Sequence, residues 1–375
     1  MKVIIAAAGS AGHINPGLAI ANKIKKEEPD SEIVFIGTNR GIENDLVPRA
    51  GYELKTIDAY GLSSKITIEN MKKMYKTVKG IGQAKKIIKE FKPDIVIGAG
   101  GYICGAVVIA AKKYKVPVVL HESNANPGKA TKFLSKKADE VLISFEAARQ
   151  KLPKANKVVY TGTPVKINKR EYQINEKLEI IKQIGLKETK PIILIFGGSQ
   201  GAQKINEAVV EILKNRLNSE YQILWATGPK QYDIIKELLK ENKINIEHIE
   251  NAKALPYIYN MEEAMNIANV IVSRSGAMTI TEIANLGKPS ILIPLPNVSG
   301  EHQLHNAEVM EKSGASQIIL NNELDGNKLN NKIIEIIKNK LTEEKMGENA
   351  LKNAVYHAEN KIYEEIKKCI KKTYN

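Results

Sequence analysis

Four times in this chain a short apolar run ends in a turn of small residues and passes into a helical pattern. Residues 3–8 lead into Gly9-Ser10-Ala11-Gly12-His13, and residues 95–97 into Gly98-Ala99-Gly100-Gly101-Tyr102. Residues 191–196 lead into Gly197-Gly198-Ser199-Gln200-Gly201, and residues 269–272 into Ser273-Arg274-Ser275-Gly276. Further apolar runs at 33–36, 116–120, 141–143, 158–160, 223–226 and 290–293 lie between helical segments. Buried-type strands separated by helices imply a parallel sheet covered on both faces. In such open sheets the strand-to-helix turns line up along the carboxyl edge, where ligands bind.

The alternation runs twice. Thr161-Gly162-Thr163-Pro164 is a turn, a charged run follows at 166–190, and the strand–turn–helix pattern restarts at 191. A chain of 375 residues holds two domains of ordinary size. We place the first at 1–163 and the second at 164–345. The lysine-rich helical segment at about 346–375 has no strand to pair with and is expected to pack back across a domain surface. Residues 16–26 read as the first helix, with Pro16 near its first turn.

The net charge of +14 calls for an anionic partner. Half of it lies in one stretch: residues 65–92 carry nine lysines and two glutamates, a net of +7. Within that stretch Ile68, Met71, Met74, Tyr75, Val78 and Ile81 recur at helical spacing, interleaved with Lys72, Lys73, Lys76 and Lys79. Two readings fit: a helix lying on an anionic membrane, or a helix whose apolar face packs on its own domain. The scarcity of acids favours the first. Nucleic acid is disfavoured, because one Trp, five Phe and almost no arginine nearby leave little to stack on or read bases with. The apolar part of the N-terminus, residues 3–8, is too short for a signal peptide. The longest apolar candidate, residues 103–111, is about half a membrane span. Two cysteines, Cys104 and Cys369, give neither a disulfide framework nor zinc spacing, which fits a reducing cytoplasm. Six histidines show no metal-ligand spacing, and no metal or cofactor is expected.

Residues 273–282 combine a strand end, a small-residue turn and a helix start. Unpaired N–H groups at a helix start suit an anion; Arg274 adds positive charge, and Glu282 adds a carboxylate for a sugar diol. The competing reading is a capping box with Thr279 as N-cap and Glu282 as its partner. The first glycine turn suits a phosphate, yet it is neither G-x-G-x-x-G nor a Walker motif. The second strand ends in Gly37-Thr38 without the acid that a dinucleotide site needs, so NAD is disfavoured. His13 sits at a helix start, where the dipole favours the neutral form. It suits a base or a donor, or else packs under the loop. His121-Glu122 either faces a ligand or forms a buried couple.

Gly9-Ser10-Ala11-Gly12-His13-Ile14-Asn15-Pro16, Gly98 through Tyr102, His121-Glu122-Ser123-Asn124, Gly197 through Ala202 and the 273–282 stretch, in that order, resemble the MurG family of peptidoglycan glycosyltransferases, glycosyltransferase family 28. The resemblance implies a GT-B fold: two Rossmann-like α/β domains facing a cleft, with a C-terminal helix returning to the first. It implies inverting transfer of GlcNAc from UDP-GlcNAc to the muramyl O4 of an undecaprenyl-diphosphate-linked MurNAc-pentapeptide (lipid I) at the cytoplasmic face of the membrane. UDP-GlcNAc is then a substrate and no cofactor is needed. Carried over by motif, Ser199 contacts the diphosphate and Ile258 lies near the uracil. Ala277, Met278 and Thr279 line the nucleotide and its phosphates, with Arg274 beside them. Glu282 takes the ribose, and Gln303 and Asn124 take the sugar. The donor set also takes in Ser10, Ala11, Gly12 and Lys166. The acceptor falls to Gly9, His13, Gly100, Gly101 and Tyr102, and the basic apolar segment at 68–81 falls to the membrane. His13 is the first candidate base and Glu122 the second. Ala8 and Ala11 stand where the family has glycines, and Lys166 where it has arginine. Rival readings are another enzyme on this scaffold, a glycolipid glycosyltransferase or a UDP-GlcNAc epimerase, and a non-catalytic basic protein that binds membrane or RNA.

Overall fold

Every strand pairing described in the computed structural model is parallel. The structure describes residues 1–61, 67–167, 169–187, 189–198 and 200–374. The chain divides into two units, Met1–Val165 with Val355–Asn375, and Lys166–Ala354.

The first unit is built on seven strands: β1 (Lys2–Ala7), β2 (Glu32–Gly37), β3 (Glu53–Thr56), β4 (Ile95–Gly100), β5 (Val118–Glu122), β6 (Glu140–Ile143) and β7 (Val158–Tyr160). Their order across the sheet is β3-β2-β1-β4-β5-β6-β7. Between them run α1 (Ala11–Glu27), α2 (Glu43–Arg49), α3 (Ile68–Phe91), α4 (Ile103–Lys113) and α5 (Lys129–Leu134). Side chains alternate along each strand, and here both sets are buried. Ile4, Ala6 and Val96 meet Ala84, Ile88 and Val107 on one face. Val3, Ile5 and Ile97 meet Ile14, Ile20 and Ile24 on the other. This two-sided burial explains why the strands read as unbroken apolar runs.

The second unit begins with α6 (Ile174–Ile184). It continues through β8 (Ile192–Phe196), α7 (Gln203–Lys214), β9 (Gln222–Ala226), α8 (Tyr232–Glu241), β10 (Ala252–Leu255), α9 (Met261–Ile267), β11 (Val270–Ser273) and α10 (Ala277–Leu286). It ends with β12 (Ser290–Leu292), α11 (His302–Lys312), β13 (Ser316–Ile318), α12 (Gly326–Ile337) and α13 (Lys340–Lys352). The sheet order is β10-β9-β8-β11-β12-β13. Trp225 is fully buried, and its Nε1 donates to Asn206 Oδ1 at 2.9 Å. Asn206 in turn donates to the Thr227 carbonyl at 2.9 Å, so this core polar pair is satisfied.

Three features differ from the sequence reading. Helix α1 starts at Ala11, because the Ser10 carbonyl accepts the N–H groups of both His13 and Ile14. Pro16 therefore lies inside the helix. Strands β3, β10 and β13 escape the sequence pattern because at these sheet edges partial exposure admits polar residues, whereas the edge strand β7 keeps an apolar run, Val158-Val159-Tyr160. The C-terminal segment is two helices. Helix α13 stays in the second unit, where a Cβ added to Gly287 (φ +65°) would lie 2.7 Å from Leu351 Cγ. Only α14 (Ala358–Tyr374) joins the first unit, where it packs on α1.

Helix α3 is also divided in its surroundings. Thr67 caps it by accepting the Asn70 N–H at 3.1 Å. Its second half buries Gly80, Ala84 and Ile88, and Ile81 packs beside them. In its first half Ile68, Met71, Met74, Tyr75 and Val78 are exposed, Ile68 by 76% and Tyr75 by 75%. Packing on its own unit therefore accounts only for the second half. Among the described residues no helix is long and apolar enough to cross a membrane.

Candidate active site

In each unit the chain reverses its direction of travel across the sheet at one point, between β1 and β4 in the first and between β8 and β11 in the second. Ligands of open parallel sheets bind at such points, beyond the carboxyl ends of the strands. The predicted turns flank both.

In the first unit the β1 turn and the β4 turn interlock. Gly100 has φ +129° and Gly101 φ +87°, regions that L side chains avoid. A Cβ on Gly100 would lie 2.4 Å from His13 Cδ2, and one on Gly101 2.5 Å from the Ala8 carbonyl oxygen. The His13 ring thus rests on the backbone of Gly100. Its Nδ1 lies 3.1 Å from the Ala8 carbonyl oxygen. A carbonyl can only accept, so Nδ1 carries a proton, which in the neutral ring leaves the lone pair on Nε2. Tyr102 is partly exposed and its ring lies against Gly9 and Gly61. At the start of α1 the N–H groups of Ala11 and Gly12 precede the helix ladder, while the Ser10 side chain makes no cap bond.

A residue absent from the sequence reading governs this turn. Glu43, fully buried at the start of α2, accepts the Gly9 N–H at 3.2 Å and both the N–H and hydroxyl of Thr38 at 3.0 and 2.7 Å. Burial pushes its carboxyl up, but these hydrogen bonds outweigh burial and hold it below the ordinary value. The Gly9 N–H is therefore already engaged and is not available to a phosphate. The signal was Gly37 and Gly41, whose added Cβ atoms would strike the Glu43 side chain.

Glu122 is likewise occupied. Its Oε1 accepts the backbone and side-chain N–H groups of Asn124, and its Oε2 accepts the Gly128 N–H, at 3.0–3.1 Å. This makes it a brace for the loop after β5 rather than a second base. His121 is buried, with Nε2 3.2 Å from the Gly162 carbonyl oxygen, and burial lowers its pKa.

In the second unit α10 starts at Ala277 with Gly276 as its N-cap, and no side chain caps it. Thr279 is therefore inside the first turn, which removes the capping-box reading. The N–H groups of Ala277, Met278 and Thr279 precede the first ladder bond, Ile280 N–H to the Gly276 carbonyl. Glu282 is partly buried, and burial alone raises its carboxyl to about 7. Arg274 lies at the end of β11, where its Nη1 donates to the carbonyls of Ile293 and Pro294. Burial lowers it to about 10, and its Nε is buried with no hydrogen-bond partner. Among the described residues neither Glu282 nor Arg274 has an ion-pair partner, an arrangement that costs stability unless a ligand completes it.

Gln303 Oε1 accepts the Leu295 N–H at 2.9 Å, which fixes the amide orientation and leaves Nε2 as its donor end. The Gln303 carbonyl accepts the Ser275 hydroxyl at 2.7 Å, tying α11 to the α10 turn. Ile258 follows β10, three strands from β11 in the sheet, and is buried. Lys166 is exposed at the first position of this unit. Ser199 lies outside the described residues. The rest of its turn is tight: Gly201 (φ +80°) and Gly228 (φ +91°) approach so closely that a Cβ on either would overlap backbone.

Residues 3–143 match the model for the glycosyltransferase family 28 N-terminal domain, and residues 192–362 that for the family 28 C-terminal domain. The chain belongs to glycosyltransferase family 28. A relative from Acetivibrio thermocellus is 43% identical over 377 residues, 99% of each chain. It is named UDP-N-acetylglucosamine–N-acetylmuramyl-(pentapeptide) pyrophosphoryl-undecaprenol N-acetylglucosamine transferase. A protein of the same name from Limosilactobacillus fermentum is 41% identical over 99% of each chain. The crystal structure of Acinetobacter baumannii MurG aligns with a TM-score of 0.77 at 27% identity, covering 98% of this chain and 99% of that one. A UDP-GlcNAc 2-epimerase from Neisseria meningitidis shares the fold, with a TM-score of 0.65 at 17% identity over 98% and 100% of the two chains. The two parallel-sheet units are thus those of a GT-B glycosyltransferase.

As a family 28 enzyme, the chain is organised by two clusters, one in each unit. His13 stands with residues 9–12 and 100–102, and Arg274 with residues 277–282 and 303. No group of three or more His, Cys, Asp or Glu among the described residues could hold a metal ion.

Proposed function

We propose that this enzyme transfers GlcNAc from UDP-GlcNAc to the muramyl O4 of undecaprenyl-diphosphate-linked MurNAc-pentapeptide, with inversion. The observation that carries the reading is the 43% identity over 99% of both chains to a transferase of that name. The second unit binds the donor. First-turn N–H groups of Ala277, Met278 and Thr279 meet the diphosphate, Glu282 takes the ribose hydroxyls, Ile258 meets the uracil, and the Gln303 Nε2 amide donates to the sugar. As the anomeric C–O bond breaks, UDP leaves with the electron pair, and these preorganised donors stabilise the charge it gains. The first unit binds the acceptor. His13 Nε2 takes the proton of the attacking hydroxyl, with the Ala8 carbonyl holding the opposite nitrogen in the required tautomer. The exposed apolar stripe of α3, with Lys72, Lys73, Lys76 and Lys79, rests on the anionic cytoplasmic membrane surface.

The deciding experiment incubates labelled UDP-GlcNAc with and without the lipid-linked acceptor. Label should enter lipid only when acceptor is present. Conversion of UDP-GlcNAc to its C2 epimer at the same rate without acceptor would instead establish an epimerase. Calorimetry with Glu282→Ala tests the donor site: unchanged UDP-GlcNAc affinity would remove Glu282 from it.

A further inference from the structure

Arg40 has no part in the groups assigned above, and Lys76, counted there among the membrane lysines, shares one ring with it. Arg40 lies in the loop between β2 and α2. Its guanidinium carbon stands 3.7 Å from the centroid of the Tyr60 ring, and its Nη2 donates to the Ala59 carbonyl at 2.6 Å. Lys76 of α3 places Nζ 5.5 Å from the same centroid. The Tyr60 N–H donates to Thr77 Oγ1 at 3.2 Å, which ties this segment to α3 beside Lys76. Among the described residues neither Arg40 nor Lys76 forms an ion pair, although Lys73, one turn away, pairs with Glu69.

Two like charges held on one ring repel each other. The ring quadrupole offsets part of that repulsion, and the positive potential that remains calls for a multiply charged anion. One anchored N–H fixes the plane of the Arg40 guanidinium and leaves its other donors in the fork geometry that suits phosphate oxygens.

The surroundings identify the anion. Gly61 follows Tyr60, and a Cβ there would lie 3.8 Å from the Tyr102 ring, which also lies against Gly9 beside the His13 turn. On the other side, Lys76 is flanked along α3 by the exposed Tyr75 and Val78. An apolar stripe, a cation pair and a candidate base thus follow one another across this unit. A lipid-linked sugar acceptor has the same order: polyprenyl chain, diphosphate, reacting sugar. The Gly9 turn is a poor alternative for the diphosphate, because Glu43 already takes its N–H and adds negative charge behind it.

We propose that Arg40 and Lys76, held on Tyr60, bind the diphosphate of the lipid-linked acceptor. The inference rests on the acceptor reading above. It is tested with a short-prenyl diphosphate acceptor that needs no membrane. In Arg40→Gln/Lys76→Gln the KM for this acceptor should rise at least roughly tenfold, the worth of one charge-assisted contact, while the KM for UDP-GlcNAc stays within about twofold. Arg40→Lys, which keeps the charge and the fold but loses the fork, should fall between the two. Binding of the double variant to vesicles of phosphatidylglycerol and phosphatidylcholine, without acceptor, should persist through the remaining lysines and the stripe. An unchanged acceptor KM overturns the proposal; if vesicle binding falls instead, the pair serves phospholipid headgroups. Wild-type enzyme that transfers nothing to any lipid-linked acceptor would count against the transferase reading, not against this site alone.

Discussion

His13 and Gly100 form one device. The ring can lie flat against the strand end and reach the Ala8 carbonyl only because residue 100 has no side chain, and φ +129° reinforces the requirement. Gly100→Ala should therefore displace the imidazole and lower kcat by about 10²- to 10⁴-fold, the ordinary worth of a general base, as His13→Ala should. UDP-GlcNAc affinity, measured by calorimetry, should stay at the wild-type value in both, because the donor groups proposed above lie in the second unit. Wild-type kcat in Gly100→Ala would sink the pairing. Glu282 predicts a different signature. Its carboxyl titrates near 7 when folded against an ordinary 4.5. Between those values the folded chain keeps a proton that the unfolded chain has released. Its contribution to stability is therefore full below pH 4.5, declines as pH rises, and is lost above about 7. Urea unfolding of the ligand-free enzyme at pH 5 and pH 8 should show this slope for the second unit, and Glu282→Gln should flatten it.

Among the elements, α3 carries the clearest test. Met71, Met74 and Val78 are more than half exposed, so replacing all three with Asn removes little folded-state burial and should shift Tm by no more than about 2 °C. Vesicle association should fall at least roughly tenfold, because each apolar side chain entering the membrane interface contributes in proportion to its buried area. Equal association by wild type and variant would refute the membrane face. The spacing of α3 was legible in the sequence, but not the point where it leaves the domain. That point is Gly80, where a Cβ would overlap the Asp58 carbonyl oxygen at 1.7 Å, a contact set by a residue 22 positions away. The central strands were legible because both their faces are buried. Edge strands β3, β10 and β13 were not, since their half-exposed positions take polar residues, as those of the edge strand β7 do not. The glycine turns and the α10 junction were legible as local chemistry. Glu43 was missed because the acid beside the first turn comes from α2 rather than from the end of β2, where a dinucleotide site would place it. Glu122 reads as a candidate base in sequence, and only the fold reveals the three N–H groups it already serves.

At the scale of the whole molecule, the first unit is completed by the last residues of the chain. Helix α14 buries Ile362, Ile366 and Cys369 in the same cluster as Ile20 and Ile24 of α1. Burying an isoleucine contributes about 1.5–3 kcal/mol, so the two isoleucines alone amount to a large part of the 5–15 kcal/mol that typically holds a domain folded. Polar contacts fix the register. Glu28 joins the N-terminal amine, Tyr363 and Lys367, and Lys157 joins Glu140 of β6 to Glu365 of α14. Burial pushes the Glu365 carboxyl up, yet Lys157 and Lys368 outweigh it and hold the group down to about 2. Its contribution is therefore present above the ordinary 4.5 and is lost as pH falls towards 2. A chain ending at Ala354 should lose cooperative unfolding of the first unit, while the second, which contains all of α13, keeps its fold and its stabilisation by UDP-GlcNAc. Calorimetric melting of the 375-residue and truncated chains with and without UDP-GlcNAc separates the two units. If the first unit melts at the same temperature in both, α14 is an accessory; if the donor no longer stabilises the truncated chain, the two units depend on each other for folding.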